Sequence, residues 1–365
     1  MTPNDTVTHR NKHFRLWWPL ALLAITVLLR LLLPAQGIEY GYSQGLFVGL
    51  RVVWDFLTSW FPVPFFYVFW LGVVWWVFTF LRAIWRGRRS KGSWKEQGRR
   101  LLNALALLVT AFLLAWGFNY GRLEVADYAG FDYYEPTLDE LRERVYTEAA
   151  DLSRMRAYLS TDTSALPAEL FDSGPVDGAV RRSMVEALSI LGYPAPGSPL
   201  VHQLYPKGIL LSWSTAGVYW PWAGQGNIDA GLHHLQKPAI AAHEMAHAYG
   251  FGDEGTCTFI AWLAGTRYKD DDPYAYAFKL SYWRRLAGKL RQQEPDAYWA
   301  WRSESLDPGI RNDLQAIYDN GEQYQDIAPA IRDVTYDAYL KVQGIHEGLL
   351  NYGKVIRMVE GYRRP

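Results

Sequence analysis

His243-Glu244-Met245-Ala246-His247-Ala248-Tyr249-Gly250-Phe251-Gly252-Asp253-Glu254 is the stretch around which the rest of the chain is organised. Two histidines four positions apart lie on one helix face, one turn from each other, so both imidazoles reach a single metal ion. In an H-E-x-x-H arrangement the glutamate beside the first histidine takes a proton from water activated by the metal. Catalytic zinc has three protein ligands and one open position. The stretch therefore predicts metal-assisted hydrolysis, most often of a peptide bond. The bland reading is a chance match on an ordinary surface helix, and the surrounding chain decides between the two.

Two histidines leave zinc one protein ligand short. Gly250 supplies a turn, and two carboxylates follow it. Asp253 stands six residues beyond His247, the metzincin spacing for a third ligand. Glu254 stands one residue further, at the expected start of the next helix, where gluzincin-type sites draw a glutamate. A metzincin also needs a Met-turn, and Met358 is the only methionine downstream. Glu254 is thus the preferred third ligand. Asp253 is the alternative, with a helix N-cap or a bond to a histidine N–H as its other roles. Glu244 is the expected general base. Tyr276, Tyr336 and Tyr352 are candidates to steady an oxyanion, each equally readable as core packing. His233 and His234 precede the motif helix, and His202 and His346 are isolated; all four read as ordinary histidines.

The composition shows what surrounds this site. The chain has 365 residues, 50% of them apolar and 16% aromatic, and its 17 tryptophans crowd the first third. Formal net charge is zero, so nothing global suggests a nucleic-acid partner. Cys257 is the single cysteine, which excludes an intrachain disulfide and any cysteine-rich metal site. Apolar runs at about 16–33, 61–81 and 101–118 are long enough to cross a lipid bilayer, and 45–60, interrupted by Arg51 and Asp55, reads as an interfacial helix. The 82–100 connection carries eight arginines and lysines against Glu96 alone. By the positive-inside rule that loop and the N-terminus are cytoplasmic, and three crossings place residues 121–365 outside the cytoplasm.

Residues 1–120 therefore read as a transmembrane region and 121–365 as a mostly helical, zincin-like domain with a small β element. Helices are expected at 138–159, behind the capping box Thr137-Leu-Asp-Glu140, and at 176–191. Others are expected from Pro238 to Gly250 and at about 255–264, 273–291, 308–319, 327–343 and 346–360. The stretches 208–214 and 217–222 predict a small sheet or hairpin, which an extended substrate could pair with.

These features together resemble the DUF3810 family, bacterial membrane proteins with a predicted zinc-peptidase motif. The likeness rests on Glu39-Tyr-Gly-Tyr-Ser43, Trp116-Gly-Phe-Asn-Tyr120, Gly217-Val-Tyr-Trp-Pro-Trp222 with Gln225-Gly-Asn-Ile228, the motif itself with Gly250-Phe251, Phe259-Ile-Ala-Trp-Leu263, and Tyr336-Asp-Ala-Tyr-Leu-Lys341. The resemblance implies a glutamate at Glu254 and a second at Thr256, of which this chain keeps the first. It also implies an acidic residue where Gln225 stands.

Two functions follow as expectations. The first is a membrane-anchored zinc peptidase acting on a peptide or protein, with zinc on His243, His247 and Glu254. The second is a membrane-tethered binding or scaffold protein that keeps the metal, or only its helix, without turnover. An intramembrane protease is disfavoured because Pro238–Gly252 is short and flanked by Lys237 and Asp253-Glu254.

Overall fold

The computed structural model describes residues 4–61, 63–87, 93–171, 174–327, 329–343 and 353–364. Its first third is helical: α1 (Asn4–Leu32), α2 (Phe47–Thr58), α3 (Phe65–Gly87) and α4 (Ser93–Ala115). Phe65–Trp85 and Glu96–Ala115 are each long and apolar enough to cross a membrane. A third such element exists if Trp17–Leu32 and Ala35–Thr58, bent by 113°, are counted together. The runs at 61–81 and 101–118 fall on α3 and α4, although α4 stops at Ala115 and a 3-10 turn, Gly117–Gly121, follows. α1 packs along α4, and α4 along α3. Leu71, Val74, Trp75 and Phe78 remain exposed, as expected of side chains that face lipid.

The apolar stretch at 45–60 becomes α2, preceded by a π-helical segment, Ile38–Leu46. Arg51, Asp55 and Thr58 lie on one face and are buried, whereas Val52, Val53, Phe56 and Leu57 lie on the other and are exposed. The buried face is not merely tolerated. Arg51 pairs with Asp55 one turn on and donates to the carbonyl of Gly224. Asp55 Oδ2 accepts the backbone N–H of Ser198 at 2.7 Å. The polar interruptions that kept α2 from reading as a crossing are what stitch it to the rest of the protein.

Beyond Tyr120 the helices are α5 (Leu138–Leu159), α6 (Val176–Ile190), α7 (Lys237–Ala248), α8 (Glu254–Gly265), α9 (Pro273–Gln293), α10 (Pro295–Glu304), α11 (Pro308–Glu322), α12 (Pro329–Val342) and α13 (Lys354–Tyr362). Thr137 and Glu140 form the capping box expected at the start of α5. α10 was not expected: Pro295 interrupts the periodic pattern, yet it opens a new helix at its first turn instead of a loop. The expected 346–360 helix is seen as α13, and its earlier part lies outside the described residues.

The β element differs most from expectation. Three strands, β1 (Val201–Leu204), β2 (Gly217–Trp220) and β3 (Gln225–Asp229), form a sheet in the order β1-β3-β2, with β1 parallel and β2 antiparallel to β3. The segment 208–214 is turn and 3-10 helix, not strand. Asp229 explains the change. Its carboxylate accepts the N–H groups of Gly208, Leu210, Leu211 and Gly231, so those donors serve one buried side chain instead of a neighbouring strand. Ile228 on β3 joins the main core, where α7 is packed among α6, α8 and the sheet.

Candidate metal centre

α7 can occupy the middle of the domain because so much of it is small. Ala241, Ala242, Ala246 and Ala248 are fully buried and bring the helix close to β3 and α8. Gly250 ends it at φ 90°, a left-handed conformation that favours glycine. A Cβ at Gly250 would also stand 2.8 Å from the ring of Phe47. The chain then reverses, and Asp253 caps α8 by accepting the N–H of Thr256 at 2.7 Å. Glu254, the first residue of α8, is thereby swung back across the histidine face of α7.

The result is a compact group. His243 Nε2 lies 2.9 Å and His247 Nε2 3.5 Å from Glu254 Oε2. One ligand atom from each residue can be chosen so that all three lie within 4.8 Å of one another. The opposite ring nitrogens are anchored. His247 Nδ1 is 2.7 Å from the carbonyl of Phe251, which can only accept. His243 Nδ1 is 3.2 Å from Thr258 Oγ1, whose own hydrogen goes to the carbonyl of Glu254. Both Nδ1 atoms therefore carry the proton, and both Nε2 lone pairs point at a carboxylate oxygen. Acceptors converging in this way need a cation between them, and the donor set of two imidazoles and a carboxylate suits zinc.

The electrostatics follow from burial. Burial lowers the pKa of His243. It also opposes charge on Glu254, but the two imidazoles hold that carboxyl well below the usual range. Cys257 Sγ sits 3.3 Å from His247 Nδ1, on the side away from the group, and burial pushes its pKa up to about 12. It is a thiol packed behind a ligand candidate, not a fourth member.

Glu244 points the other way, toward the sheet. It is 5% exposed, its Oε2 has no hydrogen-bond partner, and burial pushes its pKa up to about 8. Two glycines make its room: a Cβ on Gly217 would lie 2.6 Å from Glu244 Oε1, and one on Gly226 would lie 2.9 Å from Glu244 Cβ. Because Glu244 Cβ is fixed to the helix, Gly226→Ala must displace α7 from β3. The expected loss is about 1–3 kcal/mol of stability, read from thermal unfolding. An unchanged melting temperature would show that the helix yields freely.

Asp253 does not join the group. Its Oδ1 caps α8, and its Oδ2 lies 3.5 Å from Lys354 Nζ. Tyr276 is corrected outright: its hydroxyl donates to Asp313 Oδ2 at 2.6 Å, in a buried network with Arg156, so it is a core residue. Tyr352 and His346 lie outside the described residues, as does the side chain of Tyr336. His233 and His234 stack on each other at 4.0 Å, and His202 lies on β1, all apart from the three-residue group.

Several residues around the site were not singled out from the sequence. Trp116, just past α4, donates from Nε1 to the carbonyl of His247 at 2.9 Å, and its ring and that of Tyr219 flank the His247 imidazole. Arg122 donates to the carbonyl of Gly250 at 2.9 Å and is held by Glu39. Only the clustering of Trp116–Tyr120 and Gly217–Trp222 as recognisable stretches hinted at them.

A family model described as a protein of unknown function, DUF3810, matches residues 42–359. The chain belongs to the DUF3810 family. The matched range takes in α3, α4, the sheet and every residue of the His243–His247–Glu254 group. No curated protein and no solved structure matches this DUF3810 member.

Proposed function

We propose that this DUF3810 protein is a membrane-anchored zinc peptidase, with residues 121–365 forming a zincin-like domain outside the cytoplasm. The observation that carries the reading is the convergence of two Nε2 lone pairs and the Glu254 carboxylate, with both Nδ1 atoms anchored behind them. Zinc, when bound, supplies Lewis acidity that polarises the scissile carbonyl and acidifies the attacking water. The chain's own residues do the rest. Glu244, on the same helix and with an unpartnered oxygen, takes the proton from that water and returns it to the departing amine. β2 is an edge strand beside Glu244, and its free backbone edge offers an extended peptide a line to pair along. The eight basic residues of the 82–100 connection support the outward placement through the positive-inside rule.

The test uses the full chain in lipid nanodiscs. The wild type is expected to hold about one zinc per chain, and His243→Ala and Glu254→Ala to lose it, each having removed one of three ligands. Metal content by mass spectrometry checks this. A wild type that binds no zinc would end the peptidase reading, and zinc bound without cleavage of any peptide in a library would favour the scaffold.

A further inference from the structure

The three-residue group stands at the membrane face of the domain. Four contacts establish this. The carbonyl of His247 is hydrogen-bonded by Trp116, one residue beyond the end of α4. Gly250, three residues further on, is closed over by Phe47 of α2 and by Asn119, and its carbonyl is held by Arg122. The tip of the β2–β3 hairpin lies on the two spans. Trp220 packs on Phe66 and Phe69 at 5.1 and 4.9 Å, and Trp222 on Phe112 at 5.8 Å. The N–H of Phe65, the first residue of α3, donates to Gln225 Oε1 at 3.0 Å. The sheet that cradles Glu244 and the helix that carries the histidines are thus both seated on the outer ends of α3 and α4. The exposed apolar face of α2, Val52, Val53, Phe56 and Leu57, marks the lipid side of the same layer.

Resting on the peptidase reading, we infer that the substrate is the juxtamembrane segment of another membrane-anchored polypeptide, cut where it leaves the bilayer. A peptidase meant for free peptides gains nothing from a centre set against its own anchors. One meant for chains tethered in the same membrane meets them at this height, with the tether supplying effective concentration.

The experiment places the zinc-loaded full chain in liposomes with a quenched-fluorescent library of short peptides in three formats. The peptides are fused directly to a single hydrophobic helix, fused to it through a rigid helical spacer of about 20 residues, or left free. The spacer lifts the peptide by about 30 Å at 1.5 Å per residue without altering its density in the membrane. Direct fusions are expected to be cut at least about tenfold faster than spaced ones, since only they present the peptide at the height of the site. Equal or faster cutting of the spaced fusions would overturn the inference and leave the peptidase reading standing. Absence of cutting in all three formats, with zinc bound, would remove the peptidase reading and the inference with it.

Discussion

Glu244→Gln is expected to keep zinc and to lose hydrolysis by a factor of about 10²–10⁴, the range over which a positioned acid–base group contributes. The substitution is close to isosteric, so the glycine-lined space between α7 and the sheet stays filled. An amide cannot accept the proton that the proposed reaction delivers to Glu244. The ligands are His243, His247 and Glu254, none of which is touched, so metal content should equal that of the wild type. The carboxyl is prepared for the task by its surroundings: burial lifts its pKa to about 8, and a divalent cation nearby pulls it back toward ionisation. Metal analysis and the peptide-library assay on one preparation decide the matter. A variant cutting within about twofold of the wild type would exclude Glu244 as the base.

Arg51→Ala is expected to cost about 3–5 kcal/mol, because it leaves the Asp55 carboxylate buried without its cation. Arg51 is 1% exposed and Asp55 7%, so water cannot substitute for the missing charge. The carbonyl of Gly224 loses its donor in the same step. Thermal unfolding of the full chain in nanodiscs reads the loss. Replacing both partners, Arg51→Met with Asp55→Leu, should recover part of it, since an apolar pair carries no uncompensated charge. A single variant as stable as the wild type would show that α2 is held by its apolar side alone.

Residues whose role is set by local spacing were legible in the sequence. The histidine pair, the turn at Gly250, the N-caps at Thr137 and Asp307 and the apolar spans all depend on neighbours within a few positions. The choice between Asp253 and Glu254 was not local. It rests on the reversal at Gly250, which turns one carboxylate into a helix cap and brings the other to the imidazoles. β3 was missed because Gln225-Gly-Asn-Ile-Asp229 has no apolar alternation. Its polar side chains are buried on partners far along the chain, Phe65 for Gln225 and the 208–211 turn for Asp229. Tyr276 was offered for the site and sits in the core, since a buried tyrosine needs only an acceptor such as Asp313, and sequence position says nothing of which acceptor it finds.

The stitching of α2 also sets an order of events during synthesis. Arg51 leaves the ribosome 173 residues before Gly224, and Asp55 143 residues before Ser198. At about 5–20 residues per second, that interval is on the order of ten seconds. Until it ends, the nascent chain holds α2 at the bilayer with its charged face turned to water and its final acceptor and donor not yet made. Folding of the second half then removes that face from water. The first half is therefore a waiting receptor for the second, and two separately made fragments, divided in the exposed 160–164 connection, have a defined surface on which to find each other.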